Sequence, residues 1–274
     1  MPNDHTANER GRLFFCPATD RRPEVGDRVT LDEQESRHLL RVLRARSGQR
    51  LRLTDGLGTT MTGRVTGRSG GRAEVELERI VTDPTAAAAP QLVLACALLK
   101  SRPFEWALEK AVELGVHRIV PLVAERAVVA PRPGKRSRWV GLLKSAVKQS
   151  GRSFLPTLAE PSPLAAVLAD PQPGLQFWGT APEDLGDTDS RPQPWWWLAQ
   201  RFGPRQRGGE RPAALTLLIG PEGGWTASER GQLQTAGTIP VDLGPHVLRA
   251  ETAAVAGLLA LQSLRQVWLA EDRG

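Results

Sequence analysis

Leu92 to Leu99, read LVLACALL, runs eight residues without a polar side chain. A strand with one wet face alternates apolar and polar residues. An unbroken apolar run of this length instead fits a strand covered on both faces, as in the parallel sheets of α/β folds. The sequence that follows supplies the rest of such a layered sheet. A helix is expected from Pro103, in its first turn, to Gly115, with Phe104, Ala107, Leu108, Ala111 and Leu114 along one face. Arg118–Val123 reads as the next strand and Ser137–Ser150 as a basic helix with Leu142, Leu143, Ala146 and Val147 inward. Further strands are expected at Leu175–Gly179, Leu215–Gly220 and Ile239–Gly244. The last helix, Glu251–Leu269, is apolar over most of its surface and belongs in a core or a subunit interface.

Upstream the texture is different. Arg50–Thr54 and Ala73–Val81 alternate with a period of two, and Asp55-Gly56 and Ser69-Gly70-Gly71 supply turn chemistry between them. One short helix is expected around Ser36–Ala45. Asp83 to Pro90 (DPTAAAAP), an alanine run bracketed by prolines, is the best boundary between the two textures. The expected organisation is a small β-barrel over residues 1–84 and an α/β domain over residues 85–274. Thr180 to Pro212 is rich in Pro, Gly and charge and contains Trp195, Trp196 and Trp197. Two readings stand for it: a platform for stacking bases, or, the one preferred, a surface insertion that folds its own tryptophans against the domain.

Composition excludes several classes. No apolar run approaches the roughly 20 residues of a membrane span, and the polar start MPNDHTANERGR has no secretory core, so a cytoplasmic protein is expected. Cys16 and Cys96 are too few for a disulfide framework and sit among apolar residues, as buried thiols do; four scattered histidines give no metal-ligand spacing. Net charge is +6, and Lys100–Arg152 alone holds 12 Lys and Arg against 4 Glu. Such a concentration suits a polyphosphate backbone, and it equally suits a solvated basic face.

Three loops at the expected carboxyl ends of strands carry the chemical signal, because ligands of open α/β sheets lie outside those ends. Gly220-Pro221-Glu222-Gly223-Gly224 follows the strand LTLLI, and Thr226 with Glu229 three residues later forms a capping box. The same pattern also makes an ordinary tight turn. Leu243 to Ala253, LGPHVLRAETA, runs from a strand into a constrained loop and then into a helix whose free N–H groups can meet polar ligand edges. Glu251 and Thr252 have first-turn and capping explanations, whereas Arg249 has no obvious neighbouring partner. The third loop, at Gly179–Thr180, says little alone. Dinucleotide and P-loop fingerprints are absent, as is any defensible Ser or Cys nucleophile constellation.

GPEGG and LGPHVLRAETA together resemble the SPOUT superfamily of methyltransferases, of the RsmE type that methylates uracil N3 in 16S rRNA. HLLRVLRARSGQRLRLTDG from His38, EKAVELGVHRIVPLVAERAVV from Glu109 and KQSGRSFLP from Lys148 match in the same order, so the resemblance covers nearly everything except the tryptophan insertion. It implies a C-terminal SPOUT domain with a deep trefoil knot, a parallel sheet flanked by helices, and an N-terminal PUA-like β-barrel for RNA. General topology rules argue against knots, so that feature comes from the resemblance alone. The cofactor implied is S-adenosyl-L-methionine, bound by Thr180, Leu218, Gly220, Glu222, Leu243, Gly244, Leu248, Thr252 and Ala253. The partners implied are 16S rRNA within the small ribosomal subunit and a second copy of the chain, with neither a membrane nor a metal. Arg249 would orient the uracil and stabilise charge on its carbonyls. Glu251 would serve as base unless capping is its whole role. Arg12, Arg126, Gln149 and Arg152 would face RNA.

Two departures stand out. Lys148 occupies a place where the family often has an acidic residue, and Ser153-Phe154 replaces a more polar pair. Two rival classes remain: a superfamily member acting on another rRNA or tRNA position, such as a ribose hydroxyl, and an RNA-binding protein without catalysis. The LRAETA segment argues against the ribose reading.

Overall fold

The computed structural model describes residues 12–16, 21–85, 88, 90–130, 134–169, 174–180, 192–204 and 211–271. The polar start (1–11), the middle of the alanine run (86, 87 and 89) and most of the insertion (181–191 and 205–210) lie outside the described residues. The chain divides into two compact units: Met1–Ala87 with Val147–Leu155, and Ala88–Ala146 with Pro156–Gly274.

The first unit is built on a five-stranded sheet. Its order is β1 (Leu13–Phe15), β3 (Arg50–Thr54), β4 (Thr59–Ser69), β5 (Arg72–Thr82) and β2 (Arg28–Thr30), antiparallel except where β1 joins β3. The alternation seen in the sequence is the alternation of burial. Leu51, Leu53, Met61, Val65, Ala73, Val75 and Leu77 enter one core with Leu31 and Leu39. The intervening Glu76 and Glu78 meet Arg28, Arg50 and Arg64 in ion pairs of 3.3, 3.0 and 2.9 Å.

The helix expected at Ser36–Ala45 lies earlier. It comprises α1 (Glu33–Arg37), continued by a π-helical turn over His38–Val42. Asp32 decides the start, its carboxylate accepting the Glu35 N–H at 2.7 Å. Arg44, at φ +52°, turns the chain away from the helix before Ala45.

Val147–Leu155 was expected within the second domain and instead belongs to the first unit. Long-range hydrogen bonds explain the transfer. The Thr54 hydroxyl lies 3.0 Å from the Ser153 carbonyl, the Gly58 N–H donates to that carbonyl at 3.0 Å, and the Leu155 N–H donates to the Gly56 carbonyl at 2.8 Å. Leu57 and Phe154 close a β-bridge. Lys148 donates to the carboxylate of Glu35 at 2.8 Å, and Glu35 is buried. The lysine that departs from the family pattern is thus the counter-ion of a buried glutamate. Without it, that carboxylate would be an unpaired charge in a core.

The second unit is a parallel sheet. Its order is β11 (Gln193–Pro194), β13 (Ile239–Asp242), β10 (Gly174–Gly179), β12 (Ala214–Ile219), β6 (Gln91–Ala97), β7 (Arg118–Val123) and β8 (Thr157–Leu158), with β9 (Ser162–Pro163) also on β7. The helices are α2 (Ser101–Glu113), α3 (Lys135–Ser150, of which Val147–Ser150 belong to the first unit), α4 (Leu164–Leu168), α5 (Leu198–Phe202), α6 (Ala227–Thr235) and α7 (Ala250–Glu271). Both faces of β6 are covered, as its apolar run requires. Val93 and Ala95 share a core with Leu164 and Val167 of α4 and Leu233 of α6. On the sheet, α7 packs against β6 and β12 and also meets α2.

By length and composition α7 is apolar enough to cross a membrane, yet half of its most apolar window is buried inside this unit. Its buried Arg265 donates to the carbonyls of Pro90 (2.7 Å) and Ala88 (3.2 Å), a core helix gripping the start of its own sheet.

Candidate active site

Three neighbouring strands, β13, β10 and β12, end side by side at Asp242, Gly179 and Ile219. Beyond those carboxyl ends lies a cavity of about 310 Å³, at the lower end of the range for small-molecule sites. Its walls are the loops singled out from the sequence, and each is shaped by one local constraint.

After β12 the chain must pass an indole. A Cβ on Gly220 would lie 2.9 Å from the ring of Trp225, so only glycine lets the backbone through. Trp225 is buried and donates its ring N–H to the Gly179 carbonyl at 3.3 Å, joining the ends of β10 and β12. The capping box forms as expected: Thr226 Oγ1 accepts the Glu229 N–H at 3.1 Å and Glu229 Oε2 accepts the Thr226 N–H at 2.9 Å. Glu229, 2% exposed, has a further role that the box does not announce. Its Oε1 accepts the Glu125 N–H at 2.9 Å, and the Arg126 guanidinium next to it donates to the Gly223 carbonyl at 2.9 Å. The loop after β7 and the GPEGG loop are therefore clasped at two points.

After β13 the turn depends on Gly244, at φ +137°, with its N–H held by Asp242 Oδ1 at 2.9 Å. Arg249 ends the loop: its carbonyl accepts the Ala253 N–H at 2.8 Å, so α7 begins there, while its side chain is exposed.

Of the residues expected to hold cofactor, Thr180, Gly220, Glu222, Leu243, Gly244, Leu248 and Ala253 line the cavity, and so does Arg249. Leu218 does not line it; it is wholly buried in β12, in register with Trp178. Nor do two residues of α7, the exposed Thr252 and the partly buried Glu251. Arg126 belongs to the clasp. Arg12, Gln149 and Arg152 belong to the first unit. Gly179, from the third loop, lines the cavity as well, and so do Trp225 and Asp242, which were not anticipated. Trp225 left a faint signal, a large aromatic directly after a glycine loop.

Glu222 and Glu251 both act on Cys96, at the end of β6. Burial first, then these two carboxylates, push its thiol up to about 12. Both cysteines are buried free thiols, and among the described residues no three His, Cys, Asp or Glu side chains gather as metal ligands do.

The tryptophans fold against the domain only in part: their turn packs on α7, yet the three side chains stay substantially exposed. Trp195, Trp196 and Trp197 form a single 3₁₀ turn and are 43, 64 and 36% exposed. They follow β11, whose Gln193 and Pro194 pair with Val241 and Asp242 of β13, so the turn starts where β13 runs into the cavity loop.

Comparison with known proteins agrees with this arrangement. Residues 87–262 match the family described as an RNA methyltransferase domain, and residues 31–78 match an RNA methyltransferase PUA domain. The chain is 32% identical over 270 residues to the ribosomal RNA small subunit methyltransferase E of Mycobacterium bovis, covering 93% of each. Its identity to the protein of that name from Synechocystis is 31% over 236 residues, covering 86% of this chain and 73% of the relative. The crystal structure of a ribosomal RNA small subunit methyltransferase E from Neisseria gonorrhoeae bound to S-adenosyl methionine superposes with a TM-score of 0.74. Identity there is 31%, over 93% of this chain and 98% of that one.

Proposed function

The chain belongs to the RNA methyltransferase family, among the ribosomal RNA small subunit methyltransferase E proteins, and from that membership we propose that it methylates N3 of one uridine in 16S rRNA. It is an S-adenosylmethionine-dependent rRNA methyltransferase with an α/β catalytic domain of the SPOUT kind and a PUA domain. The observation that carries the finer reading is the cavity at the ends of β13, β10 and β12, walled by the GPEGG and LGPHVLRAETA loops together with Arg249.

The residues present fit the cofactor. Backbone at Gly244 has open space where a side chain would stand, Trp225 gives an apolar wall, and the carboxylates of Glu222 and Asp242 would attract a cationic sulfonium. When bound, S-adenosylmethionine supplies an electrophilic methyl group. Thr180, Gly220, Glu222, Leu243, Gly244, Leu248 and Ala253 would hold it.

Uracil N3 carries a proton that must pass to solvent before the N–C bond forms, and the resulting negative charge spreads onto the two flanking carbonyls. Arg249 lines the cavity and is exposed there, which supports its receiving a carbonyl and stabilising that charge. Glu251 does not line the cavity, so its first-turn position favours a helix-capping electrostatic role over that of base.

The remaining assignments rest on the same membership. The PUA-bearing part, 1–84, would bind RNA and 85–274 would carry the chemistry, with Arg12, Arg126, Gln149 and Arg152 on the RNA side. The chain would act in the cytoplasm as a homodimer on the small ribosomal subunit. A trefoil knot would be threaded where the chain returns from β13 to α7, across the sheet on β6 and β12.

Methylated N3 blocks Watson–Crick pairing and stops reverse transcription. Deleting the gene should abolish one such stop near the 3′ end of small-subunit rRNA, and purified protein should restore it. A stop that persists unchanged would refute the uracil-N3 assignment. Separately, absence of thermal stabilisation by saturating S-adenosylmethionine would refute the enzyme reading.

A further inference from the structure

Methyl transfer leaves the tryptophan turn unused. Isolated exposed aromatics are ordinary, but three consecutive indoles at 43, 64 and 36% exposure are a surface that meets something. Their base is firm. Pro194 is pinned opposite Asp242, Leu198 is buried, and Phe202 of α5 meets Phe177 of β10 edge-on at 5.5 Å between ring centroids. The turn and α5 both pack on α7. The indoles are thus carried beside the cavity loop that ends in Arg249.

Charge narrows the partner. From Gln193 to Pro204 the one ionised side chain is Arg201, and the loop from Leu243 to Ala250 carries Arg249, while the carboxylate between them, Asp242 opposite Pro194, accepts the Gly244 N–H. A ligand for this surface needs flat apolar faces and negative charge, and an unpaired polynucleotide has both.

We propose that Trp195, Trp196 and Trp197 form a stacking platform for the unpaired RNA bases that flank the target nucleotide. The proposal rests on the reading of the chain as an rRNA methyltransferase and adds to it how the strand is held. A base whose Watson–Crick edge is to be methylated must leave its pair, and drawing it out deprives its neighbours of stacking. Indole faces carried beside the loop after β13 replace that stacking. Stacking is indifferent to base identity, so the platform contributes affinity and strand position and leaves the choice of uridine to other contacts.

The test uses the full chain with Trp196→Ala, the double variant Trp195→Ala/Trp196→Ala, and Trp196→Phe. Three quantities are read: steady-state methylation of small-subunit rRNA, equilibrium binding of a labelled oligouridine, and sedimentation. Trp196→Ala should raise KM for RNA and the oligouridine Kd by roughly tenfold, the loss falling on KM rather than kcat, and Trp196→Phe should recover most of it. S-adenosylmethionine affinity should be unchanged. Unchanged KM and oligouridine Kd in the double variant would overturn the proposal. So would a change in sedimentation with RNA binding intact, because the surface would then seat a second copy of the chain. Oligouridine binding needs no turnover. If the wild type methylated no RNA, the enzymatic reading would fail while this arm still decided whether the platform holds a strand.

Discussion

The two sheets of this protein use charge in opposite ways. The first unit's antiparallel sheet buries one set of alternating residues, while the other set forms partly exposed ion pairs around Glu78. The second unit's parallel sheet is covered on both faces, so its strands carry no charge at mid-length and the cavity opens at their carboxyl ends. Charge along a wet strand contributes little to stability and can be read off the sequence as alternation. Charge at the ends of buried strands is held by backbone and by buried carboxylates, and removing one has larger consequences.

The strongest challenge to that contrast is Arg249→Ala. Turnover should fall about 100-fold or more, while S-adenosylmethionine affinity shifts only a few-fold, as measured by single-turnover methylation and calorimetry. Equal loss of both would mean that Arg249 shapes the loop instead of the reaction. Glu229→Ala should come next. It strips the acceptors from the Glu125 and Thr226 N–H groups, which should cost about 2–4 kcal/mol and speed hydrogen exchange at both amides. Glu229→Gln should be milder, since one oxygen remains. Amide exchange that stays slow in Glu229→Ala would show that the clasp does not hold those loops.

Within the first unit, Lys148→Ala should cost about 2 kcal/mol, because it leaves Glu35 buried and unpaired, whereas Glu78→Ala should cost under about 1 kcal/mol. Similar midpoint shifts for the two in denaturant titration would erase the distinction between buried and exposed charge. The smallest effect belongs to Cys96. Burial pushes its thiol up to about 12, so the unfolded chain loses its proton first and stability falls as pH rises above the ordinary thiol range. Cys96→Ala should flatten that alkaline slope relative to wild type, and identical slopes would count against the burial of the thiol.

The strands of both sheets were legible because each period reports how many faces are covered. The apolar run at Leu92–Leu99 required cover on both sides and received it, and the first part of the alternation expected at Ala73–Val81, Ala73 to Leu77, became the buried face of β5, while Val81 is exposed. The Thr226–Glu229 box was equally visible, since both partners lie within one helical turn. Other features had no local trace. Seven of the nine proposed cofactor residues line the cavity, but Leu218 and Thr252 do not, because side-chain direction along β12 and α7 is settled by packing.

By itself, then, the sequence determined the layered α/β class, the antiparallel unit before it and the loops where a ligand must sit, all through periodicity, glycines and caps spanning a few residues. Tertiary structure alone decided that Val147–Leu155 joins the first unit, that Lys148 answers Glu35, that Trp225 stands behind Gly220 and that Glu229 reaches the loop of Glu125. All but the contact of Trp225 with Gly220 join groups far apart in the chain. A buried N–H or carboxylate must find a partner wherever the fold brings one, and no local pattern records which partner that is.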